Sequence, residues 1–211
     1  MCDCLCALGP ATDTGVALFA KNSDRPPDEA QRLERHEPRR DTGPVRVTHI
    51  EIDPHPGETV GVVGSRPWWM WGFEHGVNDA GVAIGNEAIY TTDDPRTVPP
   101  ALTGMDLVRL GLERATTAAE AVEVMVSLLE RYGQGGPCHW PDRRRYWSSF
   151  LVADPTDAWV LETSGRTWDA ERVARSRAIS NRTTIPAFDA AHRLPSPLYE
   201  RLVDPRLEAS R

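Results

Sequence analysis

Two helical segments sit in the middle of a chain that otherwise alternates like short strands, and this order restricts the fold more than any other feature. Thr103 with Asp106 opens the first helix, which runs to about Arg114. Thr117 with Glu120 matches a capping box. Behind it Ala118, Ala121, Val122, Met125, Leu129 and Tyr132 recur at helical spacing and give a one-sided apolar stripe. Before the helices, residues 4–9 and 16–21 read as strands joined by a turn at Asp13-Thr14-Gly15. Asn22 to Thr42 is polar and reads mostly as loop or extended surface. Val45–Ile52 and Thr59–Val63 read as strands, and 70–76 with 82–87 as a hairpin closed by Asn78-Asp79-Ala80-Gly81. After Gly133, Gly135 and Gly136 the strand pattern returns at 149–153, 158–163, 167–173 and 178–180; a further helix starts at Pro205–Arg211. Strands, two helices and strands again predict an α+β fold with antiparallel sheet, and they argue against a βαβ nucleotide fold.

The chain has 211 residues, 40% hydrophobic and 26% charged, enough for one domain (1–211) with a real core. A net charge of -7 makes an electrostatic grip on nucleic acid or anionic lipid an unlikely design, so neither nucleic acid nor membrane is expected as a partner. No apolar run approaches the roughly 18 residues of a membrane span. The N-terminus lacks the basic and apolar regions of a secretory signal, so the expected location is cytoplasmic. A homo-oligomer is left open.

Three of the four cysteines, Cys2, Cys4 and Cys6, fall within five residues at the N-terminus. A small second residue permits removal of Met1, which would leave Cys2 first. Its α-amine, with a pKa near 7.7–8.0, could then serve as base for its own thiol. By itself, however, a cysteine at position 2 is more often a disordered terminal residue. C-x-C-x-C spacing is poor for a closed zinc site and has no C-x-x-C partner, so no metal and no cofactor are expected; Cys4 and Cys6 read as small apolar fillers.

Lys21-Asn22-Ser23-Asp24-Arg25-Pro26 closes the second strand. It is a good turn sequence; the functional alternative, between which composition does not choose, is a turn beside the start of the first strand, with Asp24 holding the α-ammonium or a water and Arg25 meeting a substrate carboxylate. Asn86 shares a strand face with Val82 and Ile84, so its amide either finds structural partners or is aimed at an oxyanion. Asn181 raises the same question at another strand end. Trp68, Trp69 and Trp71 read as core, with Trp69 and Trp71 also placed to wall an apolar substrate pocket. The six histidines show no ligand spacing; His75 alone is close to a candidate site.

Taken in order, several segments resemble the secernin and C69 dipeptidase family, within the cysteine N-terminal-nucleophile (Ntn) hydrolases. They are Met1-Cys2-Asp3, F-A-K-N-S-D-R-P-x-D-E (19–29), S-R-P-W-W-M-W-G (65–72), G-V-N-D-A-G-V-A-I-G-N-E-A (76–88), G-M-D-L-V-R-L-G-L-E-R (104–114), L-L-E-R-Y-G-Q-G-G (128–136), A-W-V-L-E-T-S-G (158–165) and A-I-S-N (178–181). The resemblance implies a four-layer αββα sandwich, C-terminally truncated here because family members are close to twice this length. It implies Cys2 as nucleophile, Asp24 beside its amine, Asn86 at the oxyanion hole and Asn181 as a second active-site asparagine. Lys21 falls where the penicillin V acylases of the wider Ntn-hydrolase group carry an arginine. The implied activity is hydrolysis of amides in dipeptides or small N-acyl compounds through a thioester. The alternative is a catalytically silent binding or scaffold protein with a modified N-terminus.

Overall fold

A computed structural model describes residues 2–194. The described chain builds twelve strands and three helices. Seven strands form one antiparallel sheet in the order β11(Thr167–Arg172)-β10(Ala158–Ser164)-β9(Trp147–Ala153)-β8(Ala83–Ile89)-β7(His75–Asn78)-β6(Val62–Pro67)-β3(Gln31–His36). A second sheet of three strands has the order β12(Ser176–Ile179)-β1(Asp3–Ala7)-β2(Leu18–Asn22). A small hairpin, β4(Val45–Arg46) with β5(Glu51–Ile52), stands apart from both.

Helices α1(Gly104–Arg114) and α2(Ala118–Tyr132) cover one face of the large sheet. Their apolar stripes meet Phe73, Ile84, Phe150, Val152 and Leu161, forming the main core with Leu107, Leu110, Met125 and Leu129. Each such side chain contributes about 1.5–3 kcal/mol through burial. The other face of the large sheet receives the small sheet. Alternation along β1 turns Cys4 and Cys6 inward against Leu151, Ala153 and Val160, which bears out their reading as small apolar fillers. Ile185 and Phe188, the latter on α3(Pro186–His192), close the end of this second core. The opposite face of β1 and β2 leaves Leu5 and Leu18 exposed.

The α+β class, the antiparallel pairing, both helices and the Gly81 turn, where φ is +86°, follow the sequence reading. Five local readings change. The first strand of the hairpin, expected over 70–76, is His75–Asn78. The polar stretch 22–42 contains β3, an edge strand whose charged alternation suits solvent on its free side. Val45–Ile52 is a tight hairpin, because Val47 N–H bonds back to the Ile50 carbonyl. Thr59–Val63 gives way to Val62–Pro67. At α2, Thr117 Oγ1 accepts from the Glu120 N–H, but the Glu120 carboxylate reaches Thr116 in place of Thr117, so the capping box is half made. At α1 it is complete: Thr103 and Asp106 bond reciprocally. The helix expected at Pro205–Arg211 lies outside the described residues.

Candidate active site

β1 and β12 run antiparallel, Cys4 opposite Ile179, so the start of β1 and the end of β12 meet at one edge. There Asn181 Oδ1 accepts from the Cys2 nitrogen at 2.8 Å, while its Nδ2 donates to the Ala88 carbonyl at 2.8 Å. Ser180 Oγ donates to the Cys2 carbonyl at 3.1 Å. The turn after β2 supplies the other side, where the Asp24 N–H donates to Cys2 Sγ at 3.4 Å. Cys2 is thus buried with its nitrogen held by one neighbour and its sulfur by another.

The charges around the thiol come from two strands, β2 and β8, and from the residue just before β7. Lys21 Nζ lies 3.1 Å from Glu87 Oε2, and both side chains are almost wholly buried. Glu74, just before β7, is buried as well, and it receives Ser23 Oγ at 3.4 Å. Burial pushes the Cys2 thiol above its ordinary range; Lys21 pulls it down, Glu74 and Glu87 push it up again, and the Asp24 N–H pulls it down. Burial also pushes Glu87 up to about 7 against the pull of Lys21. His75 is held below its usual value by burial and by Lys21, so it is neutral at pH 7.

Of the residues expected from sequence, Cys2, Asp24 and Asn181 come together. Asn86 does not join them through its side chain. Strand alternation along β8 sends Gly85 and Glu87 toward the small sheet and Asn86 toward α1, where its Nδ2 donates to Met105 Sδ at 3.3 Å and its Oδ1 has no partner. The shared face with Val82 and Ile84 is as the sequence reads; that face belongs to the helix layer.

Arg25 also has other work. Its guanidinium makes a two-bond fork with Glu29 at 2.7 and 2.9 Å, and Nη1 donates to the Cys138 carbonyl and Tyr146 Oη, both at 3.0 Å. Expected to grip a substrate carboxylate, it is instead a buried brace for the loop that carries Asp24. Trp69 joins that brace by donating its indole N–H to Glu29 Oε2 at 2.9 Å. Trp69 and Trp71 do line one cavity, of about 550 Å³, with Val47, Met70, Arg66 and Arg109. Its lining does not include Cys2. Arg109 stacks on Trp71 at 4.0 Å and is paired with Glu113, and Arg66 is paired with Glu34, so these cations are already occupied.

Glu74 and Glu87 are the residues that sequence reasoning left out. A carboxylate inside the apolar run of 82–89 was the available signal for Glu87. Among the described residues no group of three or more His, Cys, Asp or Glu side chains is gathered as a metal site, and no helix is long and apolar enough to cross a membrane.

The family model for peptidase family C69 matches residues 69–199. Among solved structures, a conjugated bile acid hydrolase from Clostridium perfringens superposes with a TM-score of 0.58 at 14% identity, covering 90% of this chain and 56% of that one. Penicillin V acylase from Agrobacterium tumefaciens gives 0.53 at 15% identity, covering 97% of this chain and 58% of that one. At these identities the likeness concerns the fold, which is that of the Ntn-hydrolases. The chain spans a little over half the length of either protein, and among the described residues it holds the helix layer and both sheets.

Proposed function

The chain belongs to peptidase family C69, and from that premise we propose that it is a cysteine N-terminal-nucleophile hydrolase of amide bonds in dipeptides or small N-acyl compounds. The observation that carries the proposal is the double hold on Cys2, its nitrogen on Asn181 Oδ1 and its sulfur on the Asp24 N–H. A side chain serving only as a terminal filler needs neither.

After removal of Met1 the Cys2 nitrogen is an amine. Asn181 Oδ1 accepts a hydrogen bond from it and so orients the amine, which takes the proton of the thiol. The thiolate attacks the amide carbonyl and forms a C–S bond. The tetrahedral adduct collapses, the C–N bond breaks and the leaving amine takes the proton back from the Cys2 ammonium. Water, deprotonated by the same amine, cleaves the thioester and releases the acid. The Asp24 N–H stabilises the thiolate before attack and again when it leaves. The amides of Asn86 and Asn181 are otherwise engaged, so the oxyanion role expected of them is not part of this scheme. A reducing compartment such as the cytoplasm suits a catalytic thiol.

Cys2→Ala and Cys2→Ser, assayed on a panel of dipeptides and N-acyl amides, test the proposal. Turnover should vanish in Cys2→Ala while the circular dichroism spectrum stays unchanged. Undiminished turnover in Cys2→Ala refutes the assignment.

A further inference from the structure

The buried Lys21–Glu87 pair is costly to maintain. Removing two charges from water costs several kcal/mol each, and an apolar pair of equal volume would often stabilise the sheets as well or better. Its position gives it another use. Lys21 on β2 faces Cys4 on β1 by register and lies against β8, where a Cβ on Gly85 would come within 3.2 Å of its Cδ and 2.6 Å of Cys4 Sγ. The buried lysine stem therefore lies between the small sheet and β8. Its ammonium meets Glu87 Oε2 at 3.1 Å and the Asn22 carbonyl at 3.4 Å. Glu87 Oε1 is buried without a hydrogen-bond partner. The other groups acting on this spot are Cys2 and Cys4 from β1, Glu74 before β7 and His75 on it. Glu74 is also shared with Arg25 at 3.4 Å.

We propose that Glu87 is a positioning residue for Cys2: its carboxyl group holds the Lys21 ammonium against the thiol and sets how much of that positive charge the thiolate feels. The inference rests on reading Cys2 as the nucleophile. Burial disfavours the charged form of Lys21, but Cys2 and Glu87 outweigh it, so the lysine stays charged through neutral pH. Glu87 changes state at about 7. Below that, its carboxyl is neutral and the thiolate faces the full Lys21 charge. Above it, the ionised carboxylate divides that charge and adds its own repulsion.

The test is the rate at which iodoacetamide alkylates Cys2 between pH 5 and 9, read from the mass of the N-terminal peptide. The wild-type rate should rise less steeply than a single-proton curve, with the departure near pH 7. Glu87→Gln should lose the step near pH 7, leaving the curve of the thiol and its α-amine alone, with the thiol pKa lowered by roughly 1–3 units, the scale of an adjacent charge. Glu87→Asp should restore the two-step curve. A wild-type curve of the same shape as that of Glu87→Gln overturns the proposal, as does a thiol pKa unchanged or raised in Glu87→Gln. Alkylation needs no turnover, so this outcome is separate from the hydrolysis test on Cys2→Ala.

Discussion

Asn181 ties β12 to β8 and to Cys2 at once, through the Ala88 carbonyl and the Cys2 nitrogen. Replacing it with Ala frees the amine to rotate, and kcat should fall on the order of 10²-fold, the lower end of what positioned acid–base groups supply. A KM-against-kcat split is the check: a rise in KM with kcat intact would place Asn181 in substrate binding instead. At this scale the sequence was legible where a residue is defined by its neighbours in the chain. The Asn86 face was read correctly from alternation. Alternation separates two faces without saying which layer covers each, and so the Asn86 side chain was expected at the thiol when it lies under α1. The Arg25 fork failed for a related reason. A guanidinium partnered by Glu29 and one awaiting a substrate look the same in sequence, because the loop geometry that decides between them is not periodic.

Among the elements, α1 is held by its capping box and by the network of Glu113 with Arg39 and Arg109. Burial opposes ionisation of Glu113, but the two arginines outweigh it and hold its pKa below the ordinary carboxylate value. A depressed carboxylate stabilises the fold above the unfolded value of about 4.5 and loses that contribution as the pH falls through its folded pKa. Glu113→Ala leaves Arg109 buried without its partner and should cost about 3–5 kcal/mol in urea unfolding at pH 7. The deficit should shrink in acid; a cost under about 1 kcal/mol at pH 7 would show that the network is not stabilising α1. The helices were legible because cap and stripe agree. β3 was missed because an edge strand with one solvated side carries the charges of a loop. The hairpin at 45–52 was read as one strand because the turn bond from Val47 to Ile50 leaves the apolar alternation nearly intact.

For the molecule as a whole, the site is a product of two sheets. The small sheet brings Cys2, Lys21 and, just past β12, Asn181; the large sheet brings Glu87 and, just before β7, Glu74. No segment of the chain contains the site alone. The family and the Ntn-hydrolase fold were legible from ordered motifs, whereas the acidic surroundings of the thiol appear only when the sheets are stacked. Everything proposed about activity converges on a covalent bond at Cys2. The most direct measurement is peptide-resolved mass spectrometry of the protein quenched in acid milliseconds after mixing with a reactive N-acyl amide. The account predicts an N-terminal peptide that starts at Cys2, without Met1, and carries the mass of the acyl group. An acyl mass on any other residue, or turnover by a protein that retains Met1, would contradict it.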